Sequence, residues 1–338
     1  SKVVNFTIES DPRRVDEDRL LYNNKVCGAN RISFGMQDFD FNVQRRVNRE
    51  QPAELFKQIL TKEVRKVYKE IAFDFLIGQP GQTTESIAIT CDKIIELKPT
   101  LVQLSLMAYK PWVAKYQIQM LAEGPLPDFF ERKELLEVIN KKLSAGGYIR
   151  SGFECYSLPD SPMTKAFEDG TAHYGASGHQ TGGPVNFIAV GSSATSNLGD
   201  DYYSQNFYDI TTYKKCIDKG KLPTFRGMKL SKDDQIRQYA TQQLRSYFKI
   251  DFKNFEKNFG VDIKEYFSKE IEYLDGMIKD GLVIVSDNGI EMTLLGRDFS
   301  QNISNVFDKY DPPTKSYNER LATIKKAKAE QAKLQELI

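Results

Sequence analysis

The chain has 338 residues, enough for about two domains with a substantial core. Apolar residues make up 40%, and 47 Lys and Arg stand against 46 Asp and Glu, a formal charge of +1 that lacks the basic excess a polyphosphate partner requires. No stretch approaches the roughly eighteen apolar residues of a spanning helix, and the first residues show neither a charged leader nor a cleavage site, so a soluble, cytoplasmic chain without nucleic-acid or membrane partners is expected.

Lys2 to Ile8 reads as a β-branched strand halted by Glu9-Ser10-Asp11-Pro12, and Ala29 to Met36 as a second that ends at Gln37-Asp38. Val64, Val67, Tyr68 and Ile71 then fall at i, i+3, i+4 and i+7, one stripe of an amphipathic helix. Ile71 to Ile77 is a third strand, stopped by Gly78-Gln79-Pro80-Gly81. A helix with Ile87, Cys91, Ile94 and Ile95 on one side leads to a fourth, Leu101 to Tyr109. This βαβαβαβ pattern predicts an α/β fold of parallel strands with crossover helices.

Asp128 before Phe129-Phe130-Glu131 is a capping box, and its helix runs through Leu135, Leu136, Ile139 and Leu143 to a stop at Gly146-Gly147. Tyr148 to Tyr156 reads as one further strand. From Ser157 to Asp201 small residues dominate, including Gly175, Gly191 and Gly199, which suggests a site-lining loop. After Arg226 the texture changes: helices from Ser231 to about Phe248, Phe252 to Phe259 and Ile263 to Lys279 precede a hairpin, Leu282 to Val285 and Ile290 to Thr293, turning at Asp287-Asn288-Gly289. Three helices and a hairpin make a winged-helix-like module, here without the basic stripe of a nucleic-acid reader. Leu321 to Ile338 reads as a solvated helix.

Cys27, Cys91, Cys155 and Cys216 are spread about sixty residues apart with no CxxC or CxxxCxxC, and read as structural thiols. Only His173 and His179 are present, which excludes a multi-His metal site. In a parallel α/β architecture the strand C-termini converge, so Glu9, Gln37, Asp74 and Ala108 should line one mouth, with Arg49 beside them at the start of the helix after the second strand. Acceptors and amides with one cation suit an organic ligand bearing hydroxyls, an amino group and a carboxylate. No Ser, Cys or His stands beside an evident base, so no activated nucleophile is expected.

The segment Arg31-Ile32-Ser33-Phe34-Gly35-Met36-Gln37-Asp38-Phe39, followed by Val43 to Gln51, resembles the signature of the oxygen-independent coproporphyrinogen III dehydrogenases, radical S-adenosylmethionine enzymes of haem synthesis. Phe73 to Thr83 resembles that family's DLIYGLPxQT segment and Ile8 to Pro12 its EIDP, while Arg226 to Asp234 and Thr293 to Arg297 are similar to its C-terminal domain. The resemblance implies a partial (β/α) radical-SAM barrel over 1–156, a glycine-rich segment closing it over 157–225, a winged-helix-like domain over 226–310 and a helical tail over 311–338. It also implies that Glu9, Gln37, Arg49, Asp74, Ala108 and Thr195 bind S-adenosylmethionine. The activity implied is oxidative decarboxylation of coproporphyrinogen propionates to vinyls, begun by a 5′-deoxyadenosyl radical, with a tetrapyrrole substrate and an electron donor such as flavodoxin or ferredoxin.

Two departures qualify these expectations. The family's CxxxCxxC segment, which holds a [4Fe–4S] cluster, is absent. The chain by itself is therefore expected to hold no metal and to be inert as a radical enzyme, either as an excerpt of a longer protein or as a degenerate or split homologue. Gly152 to Ser157 stands in place of the family's GMDHFA and Ser177 to Thr181 in place of QGYTT, so that Cys155 replaces a His and His179 a Tyr. These two are the candidate substrate residues, and an axial haem ligand is the sharper alternative to packing drift. The competing functions are a haem-modifying paralogue, methyltransferase or ring-opening, and a non-catalytic haem carrier.

Overall fold

The computed structural model describes residues 5–109, 117–122, 124–175, 178–182, 186–199, 201–315, 319 and 322. The chain divides into two units, Ser1–Asp169 and Gly170–Ile338. The expected solvated tail lies almost wholly outside the described residues.

The first unit alternates strand and helix in the order β1 (Thr7–Ser10), α1 (Glu17–Cys27), β2 (Arg31–Gln37), α2 (Phe41–Arg46), α3 (Ala53–Ile59), α4 (Lys62–Val67), β3 (Glu70–Ile77), α5 (Thr84–Leu97) and β4 (Leu101–Leu106). It continues with α6 (Gln117–Ala122), α7 (Phe129–Ala145), β5 (Ile149–Arg150), β6 (Cys155–Ser157) and α8 (Pro162–Glu168). Its six strands run in the order β1-β2-β3-β4-β6-β5, the first four parallel. On one face Phe34 of β2 and Phe73 of β3 meet Phe56 of α3, all three fully buried, edge to face or tilted, with ring centroids 4.9 to 6.4 Å apart. Each such ring contributes about 1.5–3 kcal/mol through burial. The cap read from the sequence at Asp128 is in place, a reciprocal box with Glu131 on α7, and the structure adds a second box, Thr83 with Ser86, on α5.

Several sequence expectations are corrected. The stripe Val64, Val67, Tyr68, Ile71 is not one helix face: Thr61 caps a short new helix, Tyr68 ends it, and Ile71 already lies in β3. Its apolar spacing arose where a helix and a strand meet. Tyr148 to Tyr156 is not one strand but the hairpin β5–β6, because Gly152 (φ 132) and Glu154 (φ 53) turn the chain back, and β6 runs antiparallel to β4. The first ladder continues through Glu9 and Ser10, which pair with Ser33 and Phe34; a polar residue need not end a strand whose other face is open.

The second unit holds the hairpin β7 (His173–Gly175) and β8 (Gly178–Gln180), then β9 (Thr195–Leu198), β10 (Tyr202–Asn206), α9 (Ile210–Asp218) and β11 (Thr224–Lys229). Strands β9 to β11 form an antiparallel sheet; of the small-residue stretch expected as a loop, the described residues place α8, β7, β8 and β9 in regular elements and leave most of the remainder in turns and irregular chain. Its first part, with α8, belongs to the other unit.

α10 (Lys232–Tyr247), boxed by Ser231 and Asp234, is followed by β12 (Lys249–Asp251), α11 (Phe252–Phe259), α12 (Ile263–Tyr266), α13 (Ser268–Tyr273), α14 (Asp275–Lys279), β13 (Val283–Val285), β14 (Gly289–Met292) and α15 (Ser300–Asn305). The expected third helix is thus three short ones, broken at Phe267 and Leu274, both of which are fully buried. The hairpin is as read, with β12 added beside β14. Phe248, Phe255, Phe267 and Phe307 fill this core. Among the described residues no helix is long and apolar enough to cross a membrane.

Candidate functional site

The parallel strands of the first unit bury Ile32, Phe34, Met36, Ile71, Phe73, Phe75, Val102 and Leu104 on one face. By the two-residue period the opposite face receives Glu9 from β1, Arg31, Ser33 and Gly35 from β2, Glu70 and Asp74 from β3, and Gln103 from β4. Register brings them together: Glu9 lies opposite Ser33, Arg31 opposite Glu70, and Asp74 opposite Gln103. The sequence placed Glu9 and Asp74 at strand ends, whereas Asp74 is in the middle of β3. They gather because they share a face.

Asp74 accepts a hydrogen bond from Ser33 Oγ at 3.1 Å. Burial raises its pKa to about 7, helped by the negative charge of Glu9 and opposed by Ser33, Arg31 and Arg49. Glu9 is open to water, yet the protein mass around it raises its pKa as well, with Arg31 pulling the other way. Beneath them Arg31 and Glu70 form a buried ion pair.

Arg49 lies in the loop between α2 and α3, not at a helix start. Its Nη2 donates to the Gly35 carbonyl at 2.9 Å and its Nε to Gln51 Oε1 at 3.1 Å. Desolvation lowers its pKa, but a guanidinium remains charged. Gln37 takes a positive φ of 66° at a bulge where β2 leaves its register with β3. A Cβ on Gly35 would meet Arg49 Nη2 at 2.7 Å and Gln37 Nε2 at 2.8 Å, so both side chains converge over this glycine. Around the rim, buried Asp38 accepts from Thr90 Oγ1 and Gln82 Nε2 at 2.6 Å each, tying the segment after β2 to the segment after β3.

Ala108 is exposed just beyond β4, and its carbonyl accepts from Gln117. Thr195 opens β9 in the second unit, opposite Gln205. Cys155 is fully buried in β6 opposite Gln103; burial pushes its thiol up to about 12, an environment in which a cysteine packs as a small apolar group. His179 is buried in the hairpin of the second unit, edge-on to Tyr174 with centroids 5.1 Å apart. Sequence reasoning missed Ser33, Gly35 and Gln51 as parts of this site. The available signal was the polar period Arg31, Ser33, Gly35, Gln37 in a strand whose alternate residues are all apolar.

The arrangement offers a fixed cation and two carboxylates of raised pKa on an open parallel sheet, a binding face for a zwitterionic ligand. Fold and face define an α/β protein of the radical S-adenosylmethionine type: the chain superimposes on a structure described as "Coproporphyrinogen III oxidase (HemN) from Escherichia coli is a Radical SAM enzyme" with a TM-score of 0.81 and 32% identity, covering 90% of this chain and 70% of that one. The HemN C-terminal domain family matches residues 230–299. The oxygen-independent coproporphyrinogen III oxidase of Pseudomonas aeruginosa is 35% identical over 307 residues, 91% of this chain and 66% of that protein. That of Helicobacter pylori is 32% identical over 312 residues, 92% and 67%. The chain belongs to the oxygen-independent coproporphyrinogen III oxidase family, and spans about two thirds of the length of these relatives.

Two cofactors follow from that family, and the residues suit one of them. Arg49 with Asp74 and Glu9 matches the carboxylate, ammonium and hydroxyls of S-adenosylmethionine. The residues do not suit a [4Fe–4S] cluster: the sequence has no CxxxCxxC, Cys91, Cys155 and Cys216 are each buried, and the described residues hold no group of three or more His, Cys, Asp or Glu able to take a metal ion.

Proposed function

We propose that the polar face of the first unit's sheet binds S-adenosylmethionine in the oxygen-independent oxidative decarboxylation of coproporphyrinogen III propionates to vinyls. The observation that carries the reading is the convergence of Arg49 and Gln37 on Gly35, one alternate position along β2 from the Ser33 that donates to Asp74. In this reading Arg49 takes the carboxylate of the amino-acid end, and Asp74 and Glu9 take its ammonium and the ribose hydroxyls. Gln37 supplies an amide, and Ala108 is small enough to let the adenosine approach. When bound, the cofactor supplies an activated sulfonium, the source of the hydrogen-abstracting equivalent.

The protein's own part is to orient that ligand and to change the proton occupancy of Asp74 when a cation arrives. The partners named by this reading are the tetrapyrrole and an electron donor of the flavodoxin or ferredoxin kind. Calorimetric titration with S-adenosylmethionine tests the proposal. Arg49→Ala is expected to weaken binding by about 1.5–3 kcal/mol, the scale of a charged hydrogen bond, with the circular dichroism spectrum unchanged. Equal affinity in the two proteins refutes the assignment.

A further inference from the structure

We infer that Gln51 is a positioning residue, whose buried side chain fixes the Arg49 guanidinium over Gly35 and so sets how tightly the site takes a carboxylate. The inference rests on the cofactor reading above.

Gln51 is completely buried two residues beyond Arg49. Its Oε1 accepts from Arg49 Nε, while its Nε2 donates to the Gly35 carbonyl at 2.9 Å and to the Met36 carbonyl. Arg49 Nη2 donates to the same Gly35 carbonyl, so guanidinium, amide and strand close a ring. The Gln51 backbone is itself clamped: its N–H donates to Gln44 Oε1 at 3.0 Å and its carbonyl accepts from Gln44 Nε2 at 2.9 Å. Gln44 is buried and also donates to the Asp38 carbonyl, which anchors the clamp at the end of β2.

The chemistry explains why this position holds an amide. A guanidinium has five donors in a rigid fork. Gln51 uses the Nε donor and Gly35 uses one on Nη2, and among the described residues none accepts from Nη1. The end of the fork formed by Nη1 and Nη2 is therefore left for a ligand, and it is the edge that grips a carboxylate in bidentate fashion. A glutamate here could accept from Arg49, but it would neutralise the charge and turn oxygens toward the Gly35 and Met36 carbonyls. A leucine would fill the space and hold nothing. The amide alone orients the cation while leaving its charge for a ligand.

The test compares S-adenosylmethionine with methylthioadenosine, which lacks the amino-acid end, in titrations of the wild type, Gln51→Leu and Gln51→Glu. Both variants are expected to bind S-adenosylmethionine about tenfold more weakly and methylthioadenosine with unchanged affinity. In the unliganded protein, hydrogen exchange at Arg49 Nε, followed by nitrogen NMR, should be slow in the wild type and faster in Gln51→Leu. Equal weakening for both ligands overturns the inference, since that is general damage to the site. Unchanged S-adenosylmethionine affinity in the variants overturns it too. If the wild type binds neither ligand, the cofactor reading fails, and the Nε exchange rates still decide whether Gln51 holds Arg49. Should Gln51→Leu not fold, the near-isosteric Gln51→Glu carries the comparison.

Discussion

Replacing Asp74 with Asn removes a charge that this fold tolerates poorly, and the effect should depend on pH in a way that identifies the residue. The carboxyl is raised from 3.8 to about 7, chiefly by burial and then by Glu9. At about 1.36 kcal/mol per unit, that difference amounts to roughly 4 kcal/mol between the folded and unfolded states, an upper figure for a site open at one side. Because the folded pKa is the higher one, the folded protein holds the proton more tightly. The associated stability is present in full below about pH 3.8, declines as the pH rises, and is gone above about pH 7. Asn is neutral throughout and keeps an oxygen for the Ser33 hydroxyl. Asp74→Asn should therefore match the wild type near pH 4 and exceed its stability by about 2–4 kcal/mol at pH 8. Guanidinium unfolding across this range measures the difference, and comparing the two proteins cancels all other carboxylates. A gap that does not change with pH, or a variant less stable at pH 8, would refute the electrostatic reading of this face.

Glu9→Gln removes the like charge that helps raise Asp74, so carbon NMR of the Asp74 carboxyl should show a lower pKa in that variant. Gly35→Ala puts a methyl 2.7 Å from Arg49 Nη2 and 2.8 Å from Gln37 Nε2; calorimetry should show S-adenosylmethionine affinity reduced about tenfold or more with little change in melting temperature. If that ligand's ammonium meets Asp74, binding at pH 7 lowers the carboxyl's pKa and releases protons, which titrations in two buffers of different ionisation enthalpy will detect as a difference in observed heat. Phe255→Ala in the core of the second unit should cost about 3–5 kcal/mol, read from denaturant unfolding.

The elements legible in the sequence were those with a chemical marker at their ends. Asp128, Ser231 and the Asp287 to Gly289 turn each named a boundary that the structure keeps, because caps and tight turns are satisfied within a few residues. What failed depended on partners distant in sequence. The turn at Gly152 and Glu154 folds β5 and β6 into a hairpin only because β4 is there to receive β6. The end of the small-residue stretch, Thr195 to Leu198, pairs into a sheet with Tyr202 to Gln205, which in turn pair with the strand at Thr224 to Lys229. For the candidate site the resemblance supplied Glu9, Gln37, Arg49 and Asp74, but not what holds them. Gln51 carries no charge, follows a proline-free polar run, and shows its importance only through contacts with β2 carbonyls.

The same strand explains both the core and the site, and also why the site weakens the fold. In β2, Ile32, Phe34 and Met36 must be buried for the sheet to hold α3 and α5. Period two then forces Arg31, Ser33 and Gly35 onto the opposite face, whatever their chemistry. A folded protein selected only for stability would cover that face with apolar side chains. This one lays Glu9 and Asp74 there, each raised in pKa, with Arg49 held by Gln51 near enough to oppose the Asp74 shift but without an ion pair among the described residues. An ion pair between them would lower the cost and leave no charge for a ligand. Keeping cation and carboxylates apart makes the empty face less stable and a zwitterion able to bridge them more tightly bound, so the stability gained by Asp74→Asn and the affinity lost in the same variant should have one electrostatic origin.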